Sequence, residues 1–144
     1  MTRDDIIAAV REVEGTPFRH QGRIPGLGMD CAGVLVHCFQ RLGLPYHDEM
    51  GYPRNPFDGQ LERILDSQPS LRRIDKAELD RGDVLCMRMA RDPQHIAIYL
   101  GLIDGHPYIG HGSSVHGKGK VAIHRLDEIW GARIVRVYRF EGLQ

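Results

Sequence analysis

The sequence has few cysteines and no long hydrophobic run, and both absences narrow the class of protein. Three of the 144 residues are cysteine, an odd number that excludes a complete disulfide framework. No apolar run approaches the ~20 residues that a membrane-spanning helix needs. The N-terminus is acidic and lacks the apolar core of a signal peptide, so we expect synthesis in the cytoplasm without a leader sequence.

The chain also lacks an excess of charge of either sign. Its 19 Lys and Arg residues balance 19 Asp and Glu residues. Nothing in this balance favours nucleic acid or an anionic membrane surface as a partner. Hydrophobic residues make up 42% and charged residues 26%, which is typical of a globular domain rather than a disordered chain. Because we find no repeat and no linker, we predict a single domain over residues 1–144.

Helical periodicity dominates the N-terminal half. Apolar spacing predicts a first helix over residues 3–14, with Thr2 as its N-cap. A second apolar stripe begins at Cys31 and ends before Gly43, with Asp30 in the N-cap position. Three further predictions complete this half: a Gly- and Pro-rich loop over 15–28, a surface loop over 44–60 and a short helix over 59–66.

Strand patterns dominate the C-terminal half. One helical turn is predicted over 75–79, and turns are predicted over 91–94 and at Asp104 and Gly105. The predicted strands cover residues 83–89, 95–100, 108–109, 121–124 and 133–140. Helices followed by strands indicate the α+β class, with an antiparallel sheet.

Cys31 is the strongest candidate for chemistry. It lies in the first turn of the second helix, where backbone N–H groups are unpaired and the helix dipole favours negative charge. Both effects would lower the thiol pKa and make the sulfur a nucleophile, and the free N–H groups could bind an oxyanion. The alternative is a buried cysteine that only packs the helix, and helix position alone does not separate the two interpretations.

A cysteine nucleophile needs a base and a residue that orients the base. His95 opens one predicted strand, and His111 follows the next, so adjacent antiparallel strands would bring their rings together. His111 would then bind the Nδ1–H of His95 and leave Nε2 facing Cys31. The alternative for each histidine is an ordinary polar residue at a strand end. The remaining histidines lack the paired spacing of a zinc site, and no metal or cofactor is expected.

The chain resembles the NlpC-type cell-wall cysteine peptidases, and within them the subgroup encoded beside phage tail genes. The similarity spans about residues 5–140 and rests on several motifs in order: Gly15-Thr-Pro-Phe-Arg-His-Gln-Gly22, Met29-Asp-Cys-Ala-Gly33, Arg81-Gly-Asp-Val-Leu85, Gln94-His-Ile-Ala-Ile-Tyr-Leu-Gly101 and Tyr108-Ile-Gly-His111. This resemblance implies a papain-like fold, with the nucleophile helix packed on an antiparallel sheet of about five to six strands.

The resemblance also implies site residues and a substrate. Cys31 matches the family's nucleophile, His95 its base and His111 its third polar residue, and the family cleaves amide bonds in peptidoglycan stem peptides, often after D-glutamate. Candidates for oxyanion or substrate binding are Phe18, His20 and Asp30. The family usually has tyrosine where this chain has Phe18, and a lost hydroxyl donor can lower a rate ~10²–10³-fold.

The resemblance, taken together with these residues, leaves three possible functions. The first is a thiol peptidase that acts on peptidoglycan peptides as part of a phage-like tail, where tail-tip or hub proteins would be its partners and the virion its final location. The second is a structural tail protein with a weak or inactive site, which Phe18 favours. The third is an acyltransferase or amidase on another substrate, since the same thiol chemistry serves both.

Overall fold

The computed structural model describes residues 1–54, 56, 58–89, 92–114 and 119–144. They form an α+β fold, as predicted. The helices are α1 (Arg3–Glu12), α2 (Cys31–Leu42), α3 (Gln60–Asp66), a 3₁₀ turn (Lys76–Glu78) and α4 (Glu128–Gly131). The strands are β1 (Arg23–Ile24), β2 (Gly28–Met29), β3 (Leu71–Ile74), β4 (Val84–Arg88), β5 (Pro93–Ile103), β6 (His106–Ser113), β7 (Lys120–Arg125) and β8 (Ile134–Phe140).

One antiparallel sheet of six strands organises the molecule, in the order β3-β8-β4-β5-β6-β7. Consecutive strands β4 to β7 are neighbours, so the turn at Asp104 and Gly105 joins β5 to β6 directly. Strand β3 was not predicted. Of its four residues only Leu71 is buried, so the segment lacks the alternation of apolar and polar residues that identifies a strand.

The two long helices begin as the sequence predicted. Thr2 and Asp5 form a capping box at the start of α1, and the Asp30 carboxylate accepts the Gly33 N–H at the start of α2. Helix α2 ends at Gly43, whose φ of 67° is in the left-handed region that glycine tolerates. Helix α1 ends two residues earlier than predicted.

Other local predictions need correction. The segment 15–28 is not entirely loop, because β1 and β2 pair within it and just beyond it. The turn predicted over 91–94 is wrong at Pro93 and Gln94, which belong to β5, while Arg91 lies outside the described residues. The strand predicted over 108–109 is longer in the structure, because β6 continues to Ser113, and residues 115–118 lie outside the described part of the chain. Helix α4 was missed.

Apolar side chains cover both faces of the sheet. Helices α1 and α2 lie on one face, in a cluster that includes Val10, Phe39 and Tyr138. A second cluster, centred on Trp130 and Val137, lies apart from it. Helix α2 contacts both β5 and β6, which brings its first turn to the strands that carry His95 and His111. Within the described parts of the chain, no helix combines the length and the apolar character needed to cross a bilayer.

Candidate active site

Cys31 is the first residue of α2 and is partly exposed. It lines a cavity of about 230 Å³. Strand β6 comes very close to this end of the helix, because a Cβ atom at Gly112 would lie 2.7 Å from the Asp30 carbonyl oxygen and 3.2 Å from the Cys31 nitrogen. A glycine at this position therefore lets the strand and the first turn of α2 approach each other.

His95 lies on β5, is buried, and lines the same cavity as Cys31. The residue after it, Ile96, directs its backbone N–H toward the Cys31 sulfur. Among the described hydrogen bonds none joins the Cys31 thiol to the His95 ring. The two groups therefore share a cavity without direct bonding in the free protein, and catalytic hydrogen bonds often tighten only once substrate is bound.

Both groups are held in their neutral forms. Burial, and next the Asp30 carboxylate, raise the pKa of the Cys31 thiol to about 12, although interactions with the N–H groups of Ile96 and Ala32 oppose this rise. Burial, and next the positive charge of Arg133, lower the pKa of His95 to about 4. The lowered thiol pKa expected from the helix dipole is therefore wrong for the resting site, because loss of water outweighs the dipole.

His95 and His111 are joined as expected, but through the opposite nitrogen. The Nε2 atom of His95 is hydrogen-bonded to Nδ1 of His111, and the two rings meet edge to face with centroids 4.7 Å apart. The sequence prediction had placed the His95 Nδ1–H against His111. In the structure Nε2 of His95 makes this bond, and Nδ1 takes no part in it.

A third histidine, which the sequence analysis did not select, continues this chain. Nε2 of His124 lies 2.7 Å from Nε2 of His111, and Nδ1 of His124 lies 2.9 Å from the Arg125 carbonyl oxygen. Ala122 pairs with His111 across β6 and β7. His124 is two residues from Ala122 and therefore on the same face of β7, diagonally opposite His111. The sequence could have indicated this contact if the pairing of the two strands had been predicted.

Asp30 is committed to contacts within the protein. Its Oδ1 accepts from the Gly33 N–H at 2.8 Å and from Arg23 at 3.0 Å. Its Oδ2 accepts from the Gln21 N–H at 2.8 Å and from the Tyr52 hydroxyl. Asp30 lines the cavity, but these four donors occupy its oxygens. It therefore holds the flanking segments against the start of α2, and a direct hydrogen bond to a ligand would require one of the four donors to be displaced.

The structure brings the other two candidates to the same cavity. Phe18 and His20 both line it and are partly exposed. The His20 ring also meets the Tyr52 ring edge to face, with centroids 5.5 Å apart. Of the six candidate residues predicted from the sequence, five therefore line one cavity. The sixth, His111, does not line it and is hydrogen-bonded to His95. Among the described residues, no three His, Cys, Asp or Glu side chains are arranged to hold a metal ion.

The comparison with known families agrees with this geometry. Residues 15–139 match the NlpC/P60 family, a range that includes every residue of the cavity discussed above and most of the sheet. No curated protein sequence matches the chain significantly.

Solved structures give the same fold at low sequence identity. The NlpC/P60 domain of the peptidoglycan hydrolase SagA has a TM-score of 0.62 and 21% identity, with 95% of this chain and 97% of that one covered. A protein described as similar to a lipoprotein of the NLP/P60 family, from Staphylococcus aureus subsp. aureus Mu50, has a TM-score of 0.63 and 19% identity. The match covers 95% of this chain and 40% of the staphylococcal protein.

Proposed function

Because the chain belongs to the NlpC/P60 family, we propose that it is a thiol hydrolase that cleaves amide bonds in peptidoglycan stem peptides. The observation that carries this proposal is one cavity that holds both Cys31 and His95. Cys31 is the proposed nucleophile, His95 the base, and His111 the residue that orients the base. These three roles would together supply the nucleophile, base and orienting group that covalent catalysis by a thiol requires.

The neutral resting pair defines the first step. As the Cys31 sulfur attacks the carbonyl carbon of the amide, its proton passes to Nδ1 of His95. The charge that develops on His95 is shared through its hydrogen bond to His111. The tetrahedral intermediate then collapses, the C–N bond breaks, and the leaving amine takes the proton from His95. Water, deprotonated by His95, attacks the resulting thioester, which releases the acid and restores the Cys31 thiol.

The oxyanion of the tetrahedral intermediate needs donors in the same cavity. The first turn of α2 offers backbone N–H groups at Cys31 and Ala32, which have no backbone acceptor within the helix. The His20 ring is a second source, because it lines the cavity and carries an N–H donor. A buried oxyanion is stabilised strongly by such fixed donors, since little water competes for it.

The place of action is a separate proposal that rests on sequence motifs. We infer a phage-like tail, with tail-tip or hub proteins as partners, from the resemblance of the motifs to the tail-associated subgroup. The link after D-glutamate in the stem peptide is proposed on the same basis. Neither proposal depends on the geometry of the site, so either can fail while the hydrolase proposal stands.

Purified peptidoglycan tests the hydrolase proposal directly. Wild-type protein and Cys31→Ala are each incubated with it, and new amino groups and soluble muropeptides are measured. Release by the wild type and none by Cys31→Ala is expected. His106→Gln is the matched histidine control, because His106 is exposed at the start of β6 and far along the strand from His111. No release by either protein would favour a structural role instead.

Phe18 is the observation that favours the structural role. Its ring lines the cavity beside Cys31 without a hydroxyl to donate. Product analysis separates the remaining alternative: an acyltransferase would move the acyl group from Cys31 to an added amine or alcohol, whereas a hydrolase passes it to water. Mass spectrometry of the products distinguishes the two.

A further inference from the structure

His124 closes a chain of three imidazoles that begins at the proposed base. Its Nε2 lies 2.7 Å from Nε2 of His111, and its Nδ1 lies 2.9 Å from the Arg125 carbonyl oxygen. The ring is half-buried and lies against Trp130, with centroids 5.2 Å apart. Packing on one side and a fixed backbone acceptor on the other define the orientation of this ring.

The directions of these hydrogen bonds follow from the end of the chain. A carbonyl oxygen only accepts, so Nδ1 of His124 must carry the proton. In the neutral form of His124 the ring has one N–H, so its Nε2 accepts. His111 must then donate through Nε2 and accept through Nδ1. His95 in turn donates through Nε2, which leaves an unprotonated Nδ1.

An unprotonated Nδ1 is what the proposed mechanism needs. His95 can take the proton of Cys31 only through a nitrogen that bears a lone pair, and Nε2 is already bonded to His111. If the direction of every bond were reversed, His95 would present an N–H to the sulfur and could not act as a base. The Arg125 carbonyl oxygen thus fixes the tautomer of His95 through the intervening rings of His124 and His111.

We propose that His124 is a positioning residue that sets the tautomer of His95 through His111. This inference rests on the proposed function only for its consequence on the rate, because the tautomers exist whether or not the protein is an enzyme. It adds a fourth residue to the predicted set of Cys31, His95 and His111. Its role differs from theirs, since His124 acts through His111 and need not touch substrate.

Two variants separate an electronic role from a structural one. His124→Phe keeps a ring against Trp130 but removes the acceptor for the His111 N–H. His124→Gln keeps a carbonyl oxygen at about the distance of the lost Nε2, so it can still accept that hydrogen bond. His106→Gln is the control. We expect muropeptide release to fall roughly tenfold to a hundredfold in His124→Phe, the size typical of lost supporting partners, and to recover largely in His124→Gln.

Nitrogen-15 NMR of the histidine rings gives a readout that needs no activity. We expect His95 and His111 of the wild type to be protonated at Nε2, and His124 at Nδ1. In His124→Phe the His95 signals should shift toward a mixture of tautomers, and His124→Gln should restore the single form. A His95 ring protonated at Nδ1 in the wild type overturns the inference, as does a folded His124→Phe with unchanged His95 signals.

The two proposals fail in different ways. Wild-type protein without hydrolase activity but with the expected tautomers would overturn the proposed function and leave the positioning role of His124 intact. If the wild type is active and all three variants release muropeptides at the wild-type rate, only the role of His124 is overturned. The three variants are His124→Phe, His124→Gln and His106→Gln. Should His124→Phe not fold, the tautomers of the three histidines in the wild type still decide the question.

Discussion

Arg23 places its Nη1 atom 3.0 Å from Oδ1 of Asp30, the residue immediately before the proposed nucleophile. Both side chains are mostly buried, with 14% and 5% of their surface exposed. Arg23 also reaches Asp48 and the Tyr52 hydroxyl. This network joins β1 and the segment around residues 48–52 to the start of α2, and it keeps a negative charge beside Cys31.

That charge leads to a prediction for Asp30→Asn. Removing it should lower the pKa of the Cys31 thiol, because the Asp30 carboxylate now helps to raise that pKa. The amide oxygen can still cap the helix, but the loss of the pairing with Arg23 should lower the free energy of unfolding by about 1–3 kcal/mol. Alkylation rates against pH and urea denaturation measure the two effects.

Asp48→Asn is the control for this variant, since Asp48 pairs with the same arginine from a more exposed position. It should change stability by less than about 1 kcal/mol. A thiol pKa that stays the same or rises in Asp30→Asn would show that the carboxylate does not act on the sulfur.

The Cys31 thiol should react with iodoacetamide only through its small deprotonated fraction. Because the Cys31 pKa is raised to about 12, its alkylation rate should climb steadily past pH 9 without an earlier plateau. Cys38 and Cys86 are buried, so mass spectrometry should find the label on Cys31 first, and Cys31→Ser should remove it. A plateau below pH 7 would instead indicate a thiolate paired with a charged His95.

His95 should make stability depend on pH in a defined window. The unfolded chain binds a proton at His95 near pH 6.5, whereas the folded protein excludes it until about pH 4. The contribution of His95 to the free energy of unfolding is therefore fully present above pH 6.5 and is lost as the pH falls toward 4. Urea denaturation should show the advantage of wild type over His95→Gln shrinking by about 3 kcal/mol across that window. Parallel curves for the two proteins would contradict the lowered pKa.

Phe18→Tyr should increase the rate of amide cleavage. The new hydroxyl would enter the cavity that holds Cys31, and the partial exposure of the ring avoids a buried polar group without a partner. One added donor to an oxyanion can be worth up to ~10²-fold in rate. Muropeptide release by Phe18→Tyr and by Phe18→Leu, which lacks both ring and hydroxyl, gives the comparison. A rate in Phe18→Tyr that is equal to or lower than the wild-type rate would show that the added hydroxyl does not stabilise the oxyanion.

Gly112→Ala should damage both fold and site. The added Cβ would lie 2.7 Å from the Asp30 carbonyl oxygen, and backbone atoms cannot move aside cheaply. We expect a loss of about 1–3 kcal/mol in the free energy of unfolding and a lower rate of muropeptide release. Gly131→Ala is the matched control, because a Cβ there meets no atom within 4 Å. Equal thermal stability of the two variants would contradict the close contact.

The sequence was most informative where local chemistry decides structure. The caps at Thr2 and Asp30 and the stop at Gly43 define helices through contacts a few residues apart, so their pattern is visible in the chain. Short elements with weak patterns were missed, such as α4 and β3. Strand β3 exists because it pairs with β8. The two segments are about 65 residues apart, so the local sequence of each does not indicate the pairing.

The candidate site also has features that local sequence indicates and features that only the tertiary structure determines. The chain alone offered Cys31, His95 and His111 as candidates, and it predicted the strands that bring the two histidines together. Only the tertiary structure decided that His95 uses Nε2 toward His111, that His124 extends the chain, and that burial keeps the Cys31 thiol protonated. Residue types and their order are local properties of a sequence, whereas hydrogen-bond direction and the removal of water depend on every segment that packs around the group.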